Sequence, residues 1–64
     1  MARFAKLTLT SGKPIYINCD MVSAVFATNN QDTLVQFSGD DDLYTHVKES
    51  VEKTMDIIYD AMQE

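Results

Sequence analysis

The residues that could do chemistry are concentrated in one stretch, SGDDDLYTHVKESVE, from Ser38 to Glu52. Carboxylates bind Ca²⁺, and an imidazole joined by carboxylates or a thiolate binds transition metals. A calcium loop, however, spaces its acids on alternate positions, with a glycine after them and a glutamate at position twelve. Here Gly39 precedes three consecutive aspartates, and His46 has no partner at metal-ligand spacing. The pattern predicts an exposed turn, called the acidic turn below: Asp40, Asp41 and Asp42.

The cysteine and the histidine are the remaining candidates for catalysis. Cys19 shares a predicted strand face with Ile17, and a buried cysteine usually acts as a small hydrophobe. His46 is predicted to point toward solvent beside Tyr44, without the orienting acid that a nucleophile and base require. A chain of 64 residues is also expected to offer little room for a ligand cleft of roughly 300 Å³. The sequence therefore predicts a non-enzyme with no catalytic residue, no cofactor and no metal site.

Two periodicities predict the elements that must position these residues. Up to Lys48, apolar and polar residues alternate, which indicates strands over residues 4–10, 15–19, 22–27, 33–37 and 43–47. The inward face of the third strand is predicted to carry Val22, Ala24 and Phe26. Gly12 is expected to take a positive φ in the first turn. The connections are short, so neighbouring strands should be antiparallel. We expect a meander of about five strands that can curl into a small open barrel.

The last part of the chain predicts one helix over residues 49–62, with Ser50 or a neighbour as its cap. Its core stripe is predicted to be Val51, Met55, Ile58 and Met62, spaced by four, three and four. Packed on the sheet, this helix makes the chain a single α+β domain, residues 1–64.

Two surface patterns on this helix suggest a binding role. Four acids recur every fourth residue and repel one another, by about 0.2–0.5 kcal/mol per pair, unless a basic partner covers them. We call them the acidic stripe: Glu52, Asp56, Asp60 and Glu64. A second set, predicted to lie on the far side of the helix from the core, is a candidate self-association seam: Thr54, Ile57 and Ala61.

Composition narrows the class of partner. The net charge of −5 is uneven, +1 over residues 1–32 and −6 over residues 33–64. Nucleic-acid binding needs clustered basic residues, so direct binding through exposed Phe4, Tyr16 and Tyr44 is not expected. A single cysteine, no signal-like segment and no apolar run of about 18 residues predict a cytoplasmic protein without membrane insertion. We expect either a protein partner that carries basic charge or association of the chain into a homo-oligomer.

Two segments, taken in order, resemble a known family. LTSGKPIYINCDMVSAV (Leu9 to Val25) has a glycine turn, an Ile-Asn strand end and an acid two residues later. SGDDDLYTHVKESVE contains a Val-Lys-Glu-Ser corner before the last helix. In this order they resemble the FlbD-like, or SwrD-like, small bacterial flagellar and swarming motility proteins. The resemblance implies a cytoplasmic bacterial adaptor that works through protein contacts and has no catalytic residues.

Three functions follow from these patterns. The first is a regulatory adaptor resembling the motility family. The second is a phage-type acidic inhibitor that mimics nucleic acid on a basic host defence enzyme, such as an anti-CRISPR or anti-restriction protein. The third is a small structural subunit that assembles with itself.

Overall fold

The computed structural model describes residues 3–39 and 43–63, and its elements follow the predicted order. The strands are β1 (Phe4–Thr8), β2 (Pro14–Asn18), β3 (Val22–Ala27), β4 (Thr33–Phe37) and β5 (Tyr44–Val47). A short 3₁₀ helix, Cys19–Met21, joins β2 to β3, and α1 spans Val51–Met62. The predicted α+β fold, an antiparallel set of five strands followed by one C-terminal helix, is confirmed. The acidic turn and Glu64 lie outside the described residues.

The strands form two antiparallel sheets. β1 and β2 make a hairpin whose turn holds Gly12 at φ 96°, as expected, and the second sheet has the order β3-β4-β5. An antiparallel bridge between Leu9 and Val47 joins the two sheets. Over the part of the chain that the structure describes, the strands do not close into a complete barrel, so β3 is the end strand of its sheet.

The corner between β5 and α1 is hydrogen-bonded to β1 and β4. The backbone N–H of Lys48 donates to the Thr8 carbonyl at 2.8 Å, and the Thr8 N–H donates to the Glu49 carboxylate at 3.0 Å. The Thr33 hydroxyl donates to the Glu49 carbonyl at 2.6 Å. Ser50 caps α1 by accepting the Lys53 N–H at 3.1 Å. The helix therefore begins two residues later than predicted, at a position and rotation that this corner sets.

The core lies between the strands and α1. Its buried members are Ala5, Leu7, Ile17, Cys19, Val35, Val47 and Ile58. Alternation along β1, β2 and β4 predicted the inward residues correctly. Along β3 it failed, because a bulge between Val22 and Ala24 shifts the pattern by one residue. Val22 and Val25 consequently pack against the core, while Phe26 is exposed.

The face that α1 turns toward the core also differs from the prediction. Thr54 is completely buried, Ile58 is buried, and Ile57 and Ala61 pack against the core. These four positions have the i, i+3, i+4, i+7 spacing of an amphipathic helix, so the sequence holds two overlapping stripes. Met62, assigned to the core stripe, is 40% exposed. At about 100° per residue, the centre of these four positions lies about 80° around the helix axis from the centre of the predicted stripe.

This rotation corrects the predicted self-association seam. Thr54, Ile57 and Ala61 were expected on the solvent side, but they lie on the core-facing side of α1. Thr54 is fully buried, and Ile57 and Ala61 are partly buried against the core, so these three side chains do not form an exposed seam. The prediction followed the four-three-four spacing from Val51. Of that stripe, Ile58 is buried and Met55 packs against the core, but Met62 does not.

Candidate functional site

A groove runs between α1 and β3, and it is a direct result of the helix rotation. Because α1 presents Thr54 and Ile57 to the core, Met55, Tyr59 and Met62 are left beside β3. The groove has a volume of about 370 Å³. This is larger than the small cleft expected for a chain of this length, so that expectation was wrong. The complete lining is Cys19, Val22, Ser23, Ala24, Val25, Met55, Ile58, Tyr59 and Met62.

The walls of the groove are mainly apolar and carry few groups able to react. Ser23 is fixed by its hydroxyl, which donates to the Gln36 carbonyl at 3.2 Å. Burial and the neighbouring Asp20 carboxylate raise the pKa of the Cys19 thiol, which disfavours the reactive thiolate. Cys19 is thus a wall residue, in keeping with its predicted role as a small hydrophobe. Methionine is common at binding surfaces because its flexible, polarisable side chain adapts to different partners.

Large apolar side chains are exposed in the groove wall and on neighbouring parts of the chain. Tyr59 is 60% exposed on the α1 side, and Met21 and Phe26 are exposed near the two ends of β3. Single exposed apolar residues are ordinary on a protein surface. An apolar groove with an exposed aromatic side chain, Tyr59, in its wall is typical of an interaction site.

The acidic stripe lies next to this groove. Glu52, Asp56 and Asp60 are exposed, as predicted, and α1 has no basic residue in its last turn. On the helix, Asp56 is about 60° and Glu52 about 20° around the axis from Tyr59. Carboxylates therefore follow directly beyond the Tyr59 margin. The site combines apolar walls with a negatively charged border.

A second polar cluster joins the β3–β4 turn to β5. The Asp32 carboxylate accepts hydrogen bonds from the Thr28 hydroxyl and from Nδ1 of His46, the latter at 2.9 Å. The hydrogen bond from Thr28, with a smaller contribution from His46, lowers the pKa of Asp32. His46 also meets Tyr44 edge to face at 5.7 Å between ring centroids. Sequence reasoning placed His46 beside Tyr44 but missed Asp32, because a turn residue 14 positions earlier has no periodic relation to it.

The geometry of this cluster differs from that of a catalytic triad. In a triad the imidazole stands between hydroxyl and carboxylate, so that it can take the hydroxyl proton. Here the Asp32 carboxylate stands between the Thr28 hydroxyl and the His46 ring. The arrangement orders the turn and orients the ring without activating Thr28 as a nucleophile.

The other sequence candidates are placed as follows. Phe4, Tyr16 and Tyr44 are exposed, on outward-facing strand positions. Within residues 3–39 and 43–63, no three histidine, cysteine, aspartate or glutamate side chains converge as metal ligands. The 12 residues of α1, the longest described helix, are too few to cross a membrane.

Comparison of the chain with protein-family models, curated proteins and solved structures gave no significant match.

Proposed function

We propose that this protein is a non-enzymatic interaction module that binds a basic protein segment in the groove between α1 and β3. The observation that carries the proposal is the adjacency of an apolar groove of about 370 Å³ and the acidic stripe. Apolar side chains of the partner would enter beside Met55 and Met62, and its lysine or arginine side chains would meet Asp56 and Asp60. Burial of the apolar anchors supplies affinity, and the charges supply orientation and selectivity.

The charge pattern of α1 supports a role in binding over a role in stability. Successive members of the acidic stripe repel one another by about 0.2–0.5 kcal/mol per pair. Asp60 also lies in the last turn, where the helix dipole disfavours negative charge. A basic partner would relieve both effects on binding.

The cellular setting follows from the family that the sequence resembles. We propose that the groove serves a bacterial adaptor of the FlbD-like or SwrD-like kind, acting in the cytoplasm on a motility component. The Val47-Lys48-Glu49-Ser50 corner, on which part of the resemblance rests, has a structural task in this chain, since it anchors α1. Deletion or overexpression of the gene in a flagellated host should change swimming or swarming, and unchanged motility in both strains would exclude this setting.

A second candidate function is favoured by the exposure of the acidic stripe alone. An acidic inhibitor that mimics nucleic acid would use Glu52, Asp56 and Asp60 against a basic enzyme groove, with little need for the apolar walls. The two functions differ in what they require of Met55. Binding that survives Met55→Lys but not neutralisation of the stripe would favour mimicry.

The test is capture of a partner from host lysate with matched variants. Asp56→Asn with Asp60→Asn changes the net charge by two at the groove. Thr10→Lys with Ser11→Lys makes the same change in net charge at exposed positions of the β1–β2 turn, at the opposite end of that hairpin from Cys19.

We expect the Asp56→Asn, Asp60→Asn variant to lose the partner and the Thr10→Lys, Ser11→Lys variant to retain it. Binding should also weaken steeply with added salt, because exposed charges are screened over about 10 Å at 0.1 M ionic strength. Equal retention by both double variants would contradict the proposed function.

A further inference from the structure

We propose that the partner segment binds as an extended strand added to the free edge of β3; this inference rests on the proposed function. β3 is the end strand of the sheet β3-β4-β5, and β4 is its strand partner among the described residues. An unpaired edge presents a row of backbone N–H and C=O groups that a further chain can pair with.

The lining of the groove places that edge inside the site. Four consecutive residues of β3, from Val22 to Val25, border the groove. Successive side chains of a strand point to opposite faces. The bulge can bring two neighbours to one face, but four consecutive residues reach one groove only if it runs along the edge of the strand. The edge of β3 thus forms the floor of the groove beside α1.

The Ser23 side chain leaves this edge open. Its hydroxyl is engaged with the Gln36 carbonyl of β4, on the paired side of β3. β3 has six residues, which corresponds to about 20 Å of extended chain. A partner segment of about six residues would match that length.

Strand addition also fixes the side-chain pattern of the partner. Alternate side chains of an added strand would enter the groove beside Met55 and Met62. The remaining side chains would point outward, and a long lysine or arginine there can extend over Tyr59 to the carboxylates of Asp56 and Asp60. The class of ligand is therefore an extended peptide in which apolar residues alternate with lysine or arginine.

A second copy of this chain fits the edge less well than such a peptide. Each copy carries a net charge of −5. Pairing two β3 edges would bring two acidic stripes toward each other, and like charges at close range disfavour association. Charge complementarity thus favours a basic foreign segment.

The test uses the full chain labelled with ¹⁵N and synthetic peptides of seven residues. The parent peptide alternates lysine and valine. A composition control carries the same residues in two blocks. Two further peptides carry backbone N-methyl groups on either the odd or the even residues, which removes one set of N–H donors and keeps every side chain.

We expect the parent to bind at least tenfold more tightly than the block peptide and to slow hydrogen exchange of backbone amides within residues 23–26. Of the two N-methylated peptides, one should lose at least tenfold in affinity and the other should bind like the parent. Equal binding of both N-methylated peptides, with Met55 and Tyr59 signals shifting, would overturn strand addition while leaving groove binding intact. No response of the groove to any peptide would overturn strand addition and would count against the proposed function as well.

Discussion

Two buried threonines should respond in opposite directions to the same substitution. Thr54 is completely buried, and its hydroxyl has no hydrogen-bond partner among the described residues. Thr33 is 2% exposed, and its hydroxyl donates to the Glu49 carbonyl at 2.6 Å. Valine has nearly the shape of threonine without the hydroxyl, so each Thr→Val change removes the polar group and leaves the packing close to its original form.

The magnitudes follow from the cost of unsatisfied buried groups. A buried polar group without a partner costs about 1–3 kcal/mol. Thr54→Val removes such a group, and we expect the free energy of unfolding to rise by about 1–2 kcal/mol. Thr33→Val leaves the Glu49 carbonyl without this donor, and we expect a loss of about 1–3 kcal/mol. The free energies of unfolding of the two variants should therefore differ by about 2–5 kcal/mol.

Few other effects contribute to the difference in unfolding free energy between these two variants. Threonine and valine have similar intrinsic preferences in helices and both are favoured in strands. The same chemical change is also made in both unfolded chains, so effects on the unfolded state largely cancel.

Chemical denaturation of both variants measures the difference directly. Thermal unfolding should agree, with about 4–8 °C per kcal/mol for a domain of this size. If Thr54→Val destabilised the protein as strongly as Thr33→Val, the Thr54 hydroxyl would have a hydrogen-bond partner, which would refute its assignment as an unsatisfied buried group.

Three further predictions concern α1 and its anchoring corner. Ser50→Ala should lower the free energy of unfolding by about 1 kcal/mol, because the cap of α1 is lost, and Ser50→Asp should restore most of it in chemical denaturation. Burial raises the pKa of Glu49, but the hydrogen bonds from Thr8 outweigh this and lower it overall. The ionised Glu49 carboxylate thus stabilises the fold above the unfolded pKa of about 4.3, and this stabilisation is lost as pH falls through the lower folded pKa. Glu49→Gln should therefore make the free energy of unfolding depend less on pH in this acid range. An unchanged pH dependence would contradict this role of Glu49. Asp60→Lys should raise the free energy of unfolding of the free protein by a few tenths of a kcal/mol and should weaken capture of the partner. If both the stability and the capture increased, the acidic stripe would have no binding role.

Alternation and spacing were sufficient to predict the order and type of the elements. β3 and β4 have the predicted bounds, and β1, β2 and β5 differ by one or two residues at their ends. The inward face of β3 could not be predicted, because the bulge at Val22 and Ala24 is a property of how β3 pairs with β4. No local pattern in the sequence of β3 predicts this bulge.

The rotation of α1 could not be predicted for a similar reason. Two overlapping stripes with helical spacing exist in the helix sequence, and the one that faces the core includes the polar residue Thr54. The choice is made by contacts distant in sequence, in particular the Thr8 N–H to Glu49 carboxylate hydrogen bond across 41 residues. Because the groove depends on this rotation, its walls could not be predicted from the sequence. The exposure of the acidic stripe could be predicted.

The most direct test of the central claim follows the methionine methyl groups while the partner segment binds. In the full chain with ¹³C-labelled methionine methyl groups, Met55 and Met62 report the groove, and Met21 lies outside its lining. We predict that the Met55 and Met62 signals shift together and saturate with the binding curve of the lysine–valine peptide, and that added salt moves this curve to higher concentration. Binding that leaves both signals unmoved would show that the groove is not the binding site.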